Sequence, residues 1–278
     1  MRELSGKVAV VTGGAGGIGL AMARRFGAAG MSVAIADIDP EALAAARTEL
    51  TGAGVDAFAV PCDVRVEDDV ARLAVAVVER FGTAHVVCNN AGVAPFGGVT
   101  EMTVAEYRWV LDVNFFGVLH GVRSFLPILE DQGEGHIVNT ASVSGLITQP
   151  GGSAYNASKF AVVALSEALY YELQIRDSPV GVSVVCPATV RTGIFDPSRR
   201  RPPGVEPSVG PIAARATQVM ERLAASSHRS PDDVAERVVA AVQASDFYVL
   251  THPGIMRFVE QRNEDIVMQR NPSVEQGF

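Results

Sequence analysis

The sequence predicts an α/β protein, a doubly wound parallel β-sheet of about seven strands with helices on both faces. Three observations carry that expectation. Short apolar runs alternate with longer stretches of helical period along nearly the whole chain. Of 278 residues, 48% are apolar and 19% charged, a balance that suits strands buried on both faces and further burial between subunits. Asp37, Asp63, Asn89, Ser142 and Pro187 all fall at C-terminal ends of predicted strands, where ligands bind in such sheets. The length fits one large domain over 1–278, and there is no internal repeat or linker.

The elements follow in order. Lys7-Val8-Ala9-Val10-Val11 reads as a buried strand over 7–12. A glycine-rich turn leads into a helix over 17–29 that ends at Gly30, a common helix stop. The second strand, 32–37, ends on Asp37, and Asp39-Pro40 opens a helix over 40–52. The alternation continues with a strand near 55–60, a helix near 67–81, a strand near 84–88 and one long helix near 103–130. Then come a strand near 134–140, a long helix near 153–177, a strand near 180–186, a helix near 231–244 and a strand near 246–250. Residues 193–230, rich in Pro, Ser and Arg, interrupt the pattern and are too long for an ordinary connection. Apolar residues at helical spacing over 212–225 predict one or two short helices there, a lid inserted at about 188–230. The conformation of that segment, and the tail after about 251, are left open.

Two constellations carry chemistry. In Thr12-Gly13-Gly14-Ala15-Gly16-Gly17-Ile18-Gly19 a strand, a glycine turn and a helix start come together. Glycines let the backbone approach a pyrophosphate, and the helix N-terminus supplies free N–H groups, as in Rossmann-type dinucleotide sites. Asp37 follows 18 residues after Gly19 and can bond a ribose diol while repelling a 2′-phosphate; it could equally cap the next helix, a task open to Asp39. The second constellation is Tyr155 and Lys159, four apart on one helix face. A fixed ammonium beside a phenol favours the phenolate and moves its pKa toward the working range. Alone, such a pair is more often two solvated helix residues.

Taken together these motifs resemble those of the short-chain dehydrogenase/reductase family, in its compact single-domain branch, from about Leu4 to Tyr248. Thr12, Gly13, Gly17 and Gly19 match its glycine motif, and Asn89-Asn90-Ala91-Gly92 matches the stretch after its fourth strand. Asp63-Val64 matches an adenine-contacting position, and Asn114 and Ser142 match the helix asparagine and the catalytic serine. Pro187-Ala188-Thr189-Val190-Arg191-Thr192 matches the segment beside the nicotinamide, with Ala188 in place of the family glycine. The resemblance implies catalytic roles for Asn114, Ser142, Tyr155 and Lys159. Tyr155 moves the proton, Ser142 stabilises the substrate oxygen, Lys159 lowers the Tyr155 pKa and holds the ribose, and Asn114 anchors a water linking Lys159 to solvent. It implies cofactor contacts from Gly13, Gly17, Ile18, Gly19, Asp37, Asp63, Val64, Asn90, Ala91, Gly92, Pro187, Val190 and Thr192, with Tyr155 and Lys159.

Asp37, with Gly16 where NADP-preferring relatives often place a basic residue, favours NAD over NADP, although Arg24 or Arg47 could swing toward a 2′-phosphate. Val143, Leu146, Ile147, Phe96 and Phe195 predict an apolar pocket for a hydrophobic secondary alcohol or ketone. An NADPH-dependent 3-oxoacyl carrier reductase is the alternative enzyme, and a catalytically idle dinucleotide-sensing regulator the alternative outside catalysis. A net charge of −8 without a basic block excludes nucleic acid as an expected partner, and Arg199-Arg200-Arg201 reads as a solvated loop. Five histidines show no ligand spacing, so no metal is expected. Cys62, Cys88 and Cys186 read as free buried thiols. Neither a signal peptide nor a membrane span is expected, which predicts a cytoplasmic protein. Apolar and small residues spread round the helices 103–130 and 153–177 predict burial between chains in a homotetramer.

Overall fold

The computed structural model describes residues 1–196 and 200–272. Seven parallel strands stand in the order β3-β2-β1-β4-β5-β6-β7. They are β1 (Val8–Thr12), β2 (Ser32–Asp37), β3 (Ala57–Pro61), β4 (Val86–Asn89), β5 (Gly135–Thr140), β6 (Val180–Cys186) and β7 (Tyr248–Leu250). The order reverses between β1 and β4, paired through Ala9–Val86, Val10–Val87 and Val11–Cys88. Connections leave those two strands in opposite directions, and a crevice opens beyond their C-terminal ends.

Strand periodicity divides the core in two. Val8 and Val10 face a layer formed by α3 (Glu67–Phe81), α5 (Gly117–Asp131) and α6 (Ser153–Ile175). Ala9 and Val11 face α1 (Gly17–Ala28), α2 (Pro40–Gly52) and α8 (Pro231–Ala244). The helices start where the caps direct. Asp39 Oδ1 accepts from the amides of Glu41 and Ala42 at 3.2 and 3.0 Å, so Asp39 caps α2 and Asp37 is spared that role. Ser230 and Asp233 form a capping box on α8, a reciprocal pair that satisfies amides at a helix start.

The expected long helix over 103–130 is not continuous. α4 (Val104–Leu111) passes through a π-helical turn at Asp112–Phe116 before α5 resumes. The wider turn aims Asn114 into the protein, where it has no exposure; such turns are known to re-aim residues near functional sites. A period-3.6 reading cannot see one extra residue in a turn. α7 (Pro211–Ser226) lies where the helical spacing over 212–225 predicted one or two short helices, and α9 (Met256–Val267) lies in the tail left open.

The helix faces expected to meet another subunit are partly used within the chain. Trp109, Val110, His120 and Val163 are buried in the protomer. The exposed apolar stripe is different: Ala157, Ala164, Ala168, Tyr171 and Ile175 follow one face of α6, with Phe116 also exposed. The three cysteines are free and buried. Among the described residues no helix is long and apolar enough to cross a membrane, and no cluster of metal-ligating side chains occurs.

Candidate active site

A cleft of about 620 Å³ lies over the crevice between β1 and β4. Its dinucleotide end is a cradle made by glycine. Gly13 has φ +64°, and a Cβ there would stand 2.9 Å from Ala91 Cα. A Cβ on Gly19 would stand 2.1 Å from the Gly13 carbonyl oxygen, so Gly19 acts from behind the turn by letting α1 approach it closely. α1 has no side-chain cap and no acidic residue in its first turn, which leaves its amides and positive end to an anion. Thr12 ties the turn to the next strand, its hydroxyl accepting from the amides of Asn90 and Ala91 at 2.9 and 3.2 Å. Asn90 Nδ2 returns a bond to the Thr12 carbonyl at 3.0 Å. These residues fit a dinucleotide: the cradle is one a side chain would fill, and the helix end is open.

Asp37 sits on the cleft wall, its two oxygens accepting from Ala15 N and Asp39 N, each at 3.2 Å. Arg24 is not placed for a 2′-phosphate, because it pairs with both oxygens of Glu49. The sequence reading missed Arg65. It lines the cleft beside Asp37 and grips the Asp63 carboxylate, with Nη2 to Oδ2 at 2.6 Å. Burial alone would raise the Asp63 carboxyl, but the Arg65 bonds hold it below the usual range. Val64, Ile18, Gly17, Asn90, Ala91, Gly92, Pro187, Val190 and Thr192 line the same cleft. Ala188 has a negative φ, since it is absent from the left-handed residues of the described chain, so the departure from glycine carries no backbone strain.

At the other end Ser142, Tyr155 and Lys159 converge. Ser142 follows β5 and is held from two sides: its hydroxyl donates to the Pro187 carbonyl at 3.2 Å and accepts from Ser144 N at 3.1 Å. Lys159, one turn beyond Tyr155 on α6, is 2% exposed and donates to the Thr140 carbonyl at 2.8 Å. Its ammonium stands 5.7 Å from the Tyr155 ring centre. Asn114 does not line the cleft. Its Oδ1 accepts from Val93 N at 2.8 Å, and its Nδ2 donates to Val93 O and to Ser158 Oγ at 2.9 and 3.0 Å. It therefore staples the loop after β4 to α6 directly beneath the Tyr–Lys pair.

Burial acts on both members of the pair. Burial pushes the Tyr155 phenol up to about 12, and Ser142 only partly opposes it. Burial pushes Lys159 down to about 8. Lys159 spends a bond on the Thr140 carbonyl. At neutral pH the pair is a protonated phenol beside an ammonium, a state ready to donate a proton.

The substrate end is apolar. Phe96, Val143 and Ile147 line it as expected, while Leu146 packs on the core instead. The Phe195 side chain and Arg199 lie outside the described residues. Trp109 and Val113 close one side, Ala216, Val219, Met220 and Leu223 of α7 another, and Ile255 and Phe258 a third. The contribution of 255–258 had no motif to announce it.

A reversed parallel sheet, a glycine cradle and a Ser–Tyr–Lys cluster in one cleft define a dinucleotide-dependent oxidoreductase. A family model described as short chain dehydrogenase matches residues 7–203. The chain belongs to the short-chain dehydrogenase/reductase family. It is similar to a short-chain dehydrogenase/reductase from Burkholderia phymatum solved in complex with NAD, at 43% identity, TM-score 0.95 and 98% of each chain. It is 30% identical to a CLA biosynthesis dehydrogenase/reductase of Lactiplantibacillus plantarum, over 99% of this chain and 98% of the relative. It is 40% identical to a 1-deoxy-11-beta-hydroxypentalenate dehydrogenase of Streptomyces exfoliatus, over 68% of this chain and 70% of the relative.

The buried ammonium sets a pH-dependent cost. The unfolded chain holds the Lys159 proton up to its ordinary value of 10.5, and the folded chain releases it near 8. Between those values the unfolded state binds more protons, so stability rises with pH. At pH 7 the cost is present in full. Lys159→Met in the cofactor-free protein should therefore gain about 1–3 kcal/mol at pH 7 and lose that advantage by about pH 10.5. Urea unfolding at both pH values measures it; a variant less stable than wild type at pH 7 contradicts the buried-charge account.

Proposed function

We propose that the protein is an NAD-dependent oxidoreductase that interconverts a hydrophobic secondary alcohol and its ketone. One observation carries the reading. The Ser142–Tyr155–Lys159 cluster stands where the glycine-cradled end of the cleft meets its apolar end. Bound nicotinamide dinucleotide supplies or takes the hydride. Tyr155 protonates the developing alkoxide in reduction, and its raised pKa favours that protonated form at neutral pH. The reverse reaction needs the phenolate and should gain from higher pH. Ser142 offers its hydroxyl to the substrate oxygen. Lys159 contributes positive charge at the ribose side, and Asn114 acts through the loop and helix that it joins.

The preference for NAD rests on the fixed Asp37 carboxylate and on the engagement of Arg24 and Arg65 by acidic partners. The NAD complex of the Burkholderia relative is consistent with it. The remaining cofactor contacts are those assigned from the sequence, with Gly19 acting behind the turn. One domain spans 1–278, and residues 188–230 supply the substrate-facing wall. A reducing, cytoplasmic setting suits the three free thiols. The exposed stripe on α6 supports pairing of that helix with a second copy, within a homotetramer of two-fold symmetry.

Three measurements test this reading. Tyr155→Phe should lower turnover at least about 100-fold while leaving NAD affinity near wild type, read on a panel of ketones and secondary alcohols. Retained turnover removes Tyr155 from the reaction. Asp37→Ala should weaken NAD and admit NADP; a wild-type protein that favours NADPH tenfold or more on the same panel overturns the cofactor assignment. Light scattering at micromolar concentration should give four times the 29.3 kDa chain mass. A dimer leaves the α6 pairing but removes the tetramer, and a monomer removes both.

A further inference from the structure

One member of the arginine run, Arg201, is not the solvated side chain that the composition predicts. Arg201 Nη1 donates to Glu106 Oε1 of α4 at 2.7 Å, and its guanidinium stands 5.0 Å from the centre of the Trp109 ring. Glu106 is fully buried, and the Arg201 side chain is 14% exposed. The other oxygen of Glu106, Oε2, has no partner among the described residues, so Arg201 is the counter-charge that carboxylate has. Trp109, gripped between α4 and Arg201, lines the cleft.

The same segment docks again a few residues on. Ser208 Oγ donates to the Phe96 carbonyl at 2.9 Å. The amides of Ile212 and Ala213 donate to the two oxygens of Glu101 at 3.0 and 2.8 Å. α7 begins at Pro211, and the residue ahead of it, Gly210, offers no side-chain cap, so Glu101 supplies the cap from the β4–α4 connection. Glu101 also accepts from Gly98 N at 2.9 Å. Phe96 and Ala216 then pack together in one cluster with Tyr155 and Met220.

We propose that Arg201 and Glu101 are positioning residues: they clamp the wall 200–226 against residues 94–109 and so fix the dimensions of the substrate end. The proposal rests on the reading of that end as the substrate site. Exposed ion pairs contribute little, but cutting a buried one leaves a charge without compensation. A helix without its cap frays from the first turn, and in α7 that turn lies just ahead of cleft-lining Ala216. Neither residue touches the cofactor end, so the clamp governs substrate fit rather than dinucleotide binding.

The test uses the full-length protein as Arg201→Met and as the double variant E106Q/R201M, with NADH and acetophenone as the probe ketone. Amide hydrogen exchange at Ile212 and Ala213 reports the clamp without any turnover. In Arg201→Met, exchange at those amides and the KM for acetophenone should each rise at least about tenfold, with NADH affinity unchanged. E106Q/R201M removes the stranded charge and should recover the melting temperature while keeping both effects, because the clamp is still cut. Wild-type exchange in Arg201→Met overturns the proposal. So does a double variant in which exchange and KM return together with stability, which would make Arg201 structural only. If wild type does not reduce acetophenone or any other ketone while the exchange result holds, the reading of the reaction fails and the clamp stands.

Discussion

The site depends on the reversal of strand order between β1 and β4. Every strand here runs the same way, so all seven present their C-terminal ends to one edge of the sheet. At most positions the connecting chain covers that edge. Between β1 and β4 the chain departs to opposite faces, and the edge stays open. The cradle at 13–19 occupies one side of that opening and the stretch 89–93 the other. Thr12 and Asn90 bind these two sides to each other through five hydrogen bonds involving their side chains. The width of the crevice is thus fixed by side chains on the two strands that create it.

A second set of buried polar side chains carries this rigidity to α6. Asn89 Nδ2 donates to Asn139, Asn139 Nδ2 donates to Ser166 on α6, and Ser166 donates to the Val162 carbonyl. Asn114 adds the link from the loop after β4 to Ser158. Buried amides stabilise a structure only when their bonds are made, and then they specify one arrangement. The network orients α6 about its own axis, and the direction of Tyr155 follows from that. Gly121 leaves room for it, since a Cβ there would stand 1.8 Å from Asn89 Oδ1.

Much of this was legible in the sequence for a physical reason. The strands are uniform apolar runs, the cradle needs glycine at fixed spacing, and Tyr155 and Lys159 must share a helix face. Those constraints are local and leave local marks. What escaped is set by contacts across the fold. The π turn at Asp112–Phe116 adds no residue type that a helix lacks. Arg65 follows Asp63 at a spacing found in many loops, and only its bidentate grip shows its part. Depth of burial, which pushes the Tyr155 phenol up and the Lys159 ammonium down, is invisible in a four-residue spacing. Arg201 looked like one member of a charged run until the fold brought Glu106 to it.

The borrowed cap on α7 carries a cost in chain entropy. Glu101 and Ile212 are separated by 111 residues, with β5, α6 and β6 between them. A contact that distant gives nothing back to the chain until the intervening entropy has been lost. Closing that loop costs more chain entropy than closing the glycine cradle, whose hydrogen bonds span at most 79 residues. The cleft likewise waits on distant chain, because Tyr155, Lys159, Pro187, Val190 and Thr192 complete the walls that the glycine cradle opens.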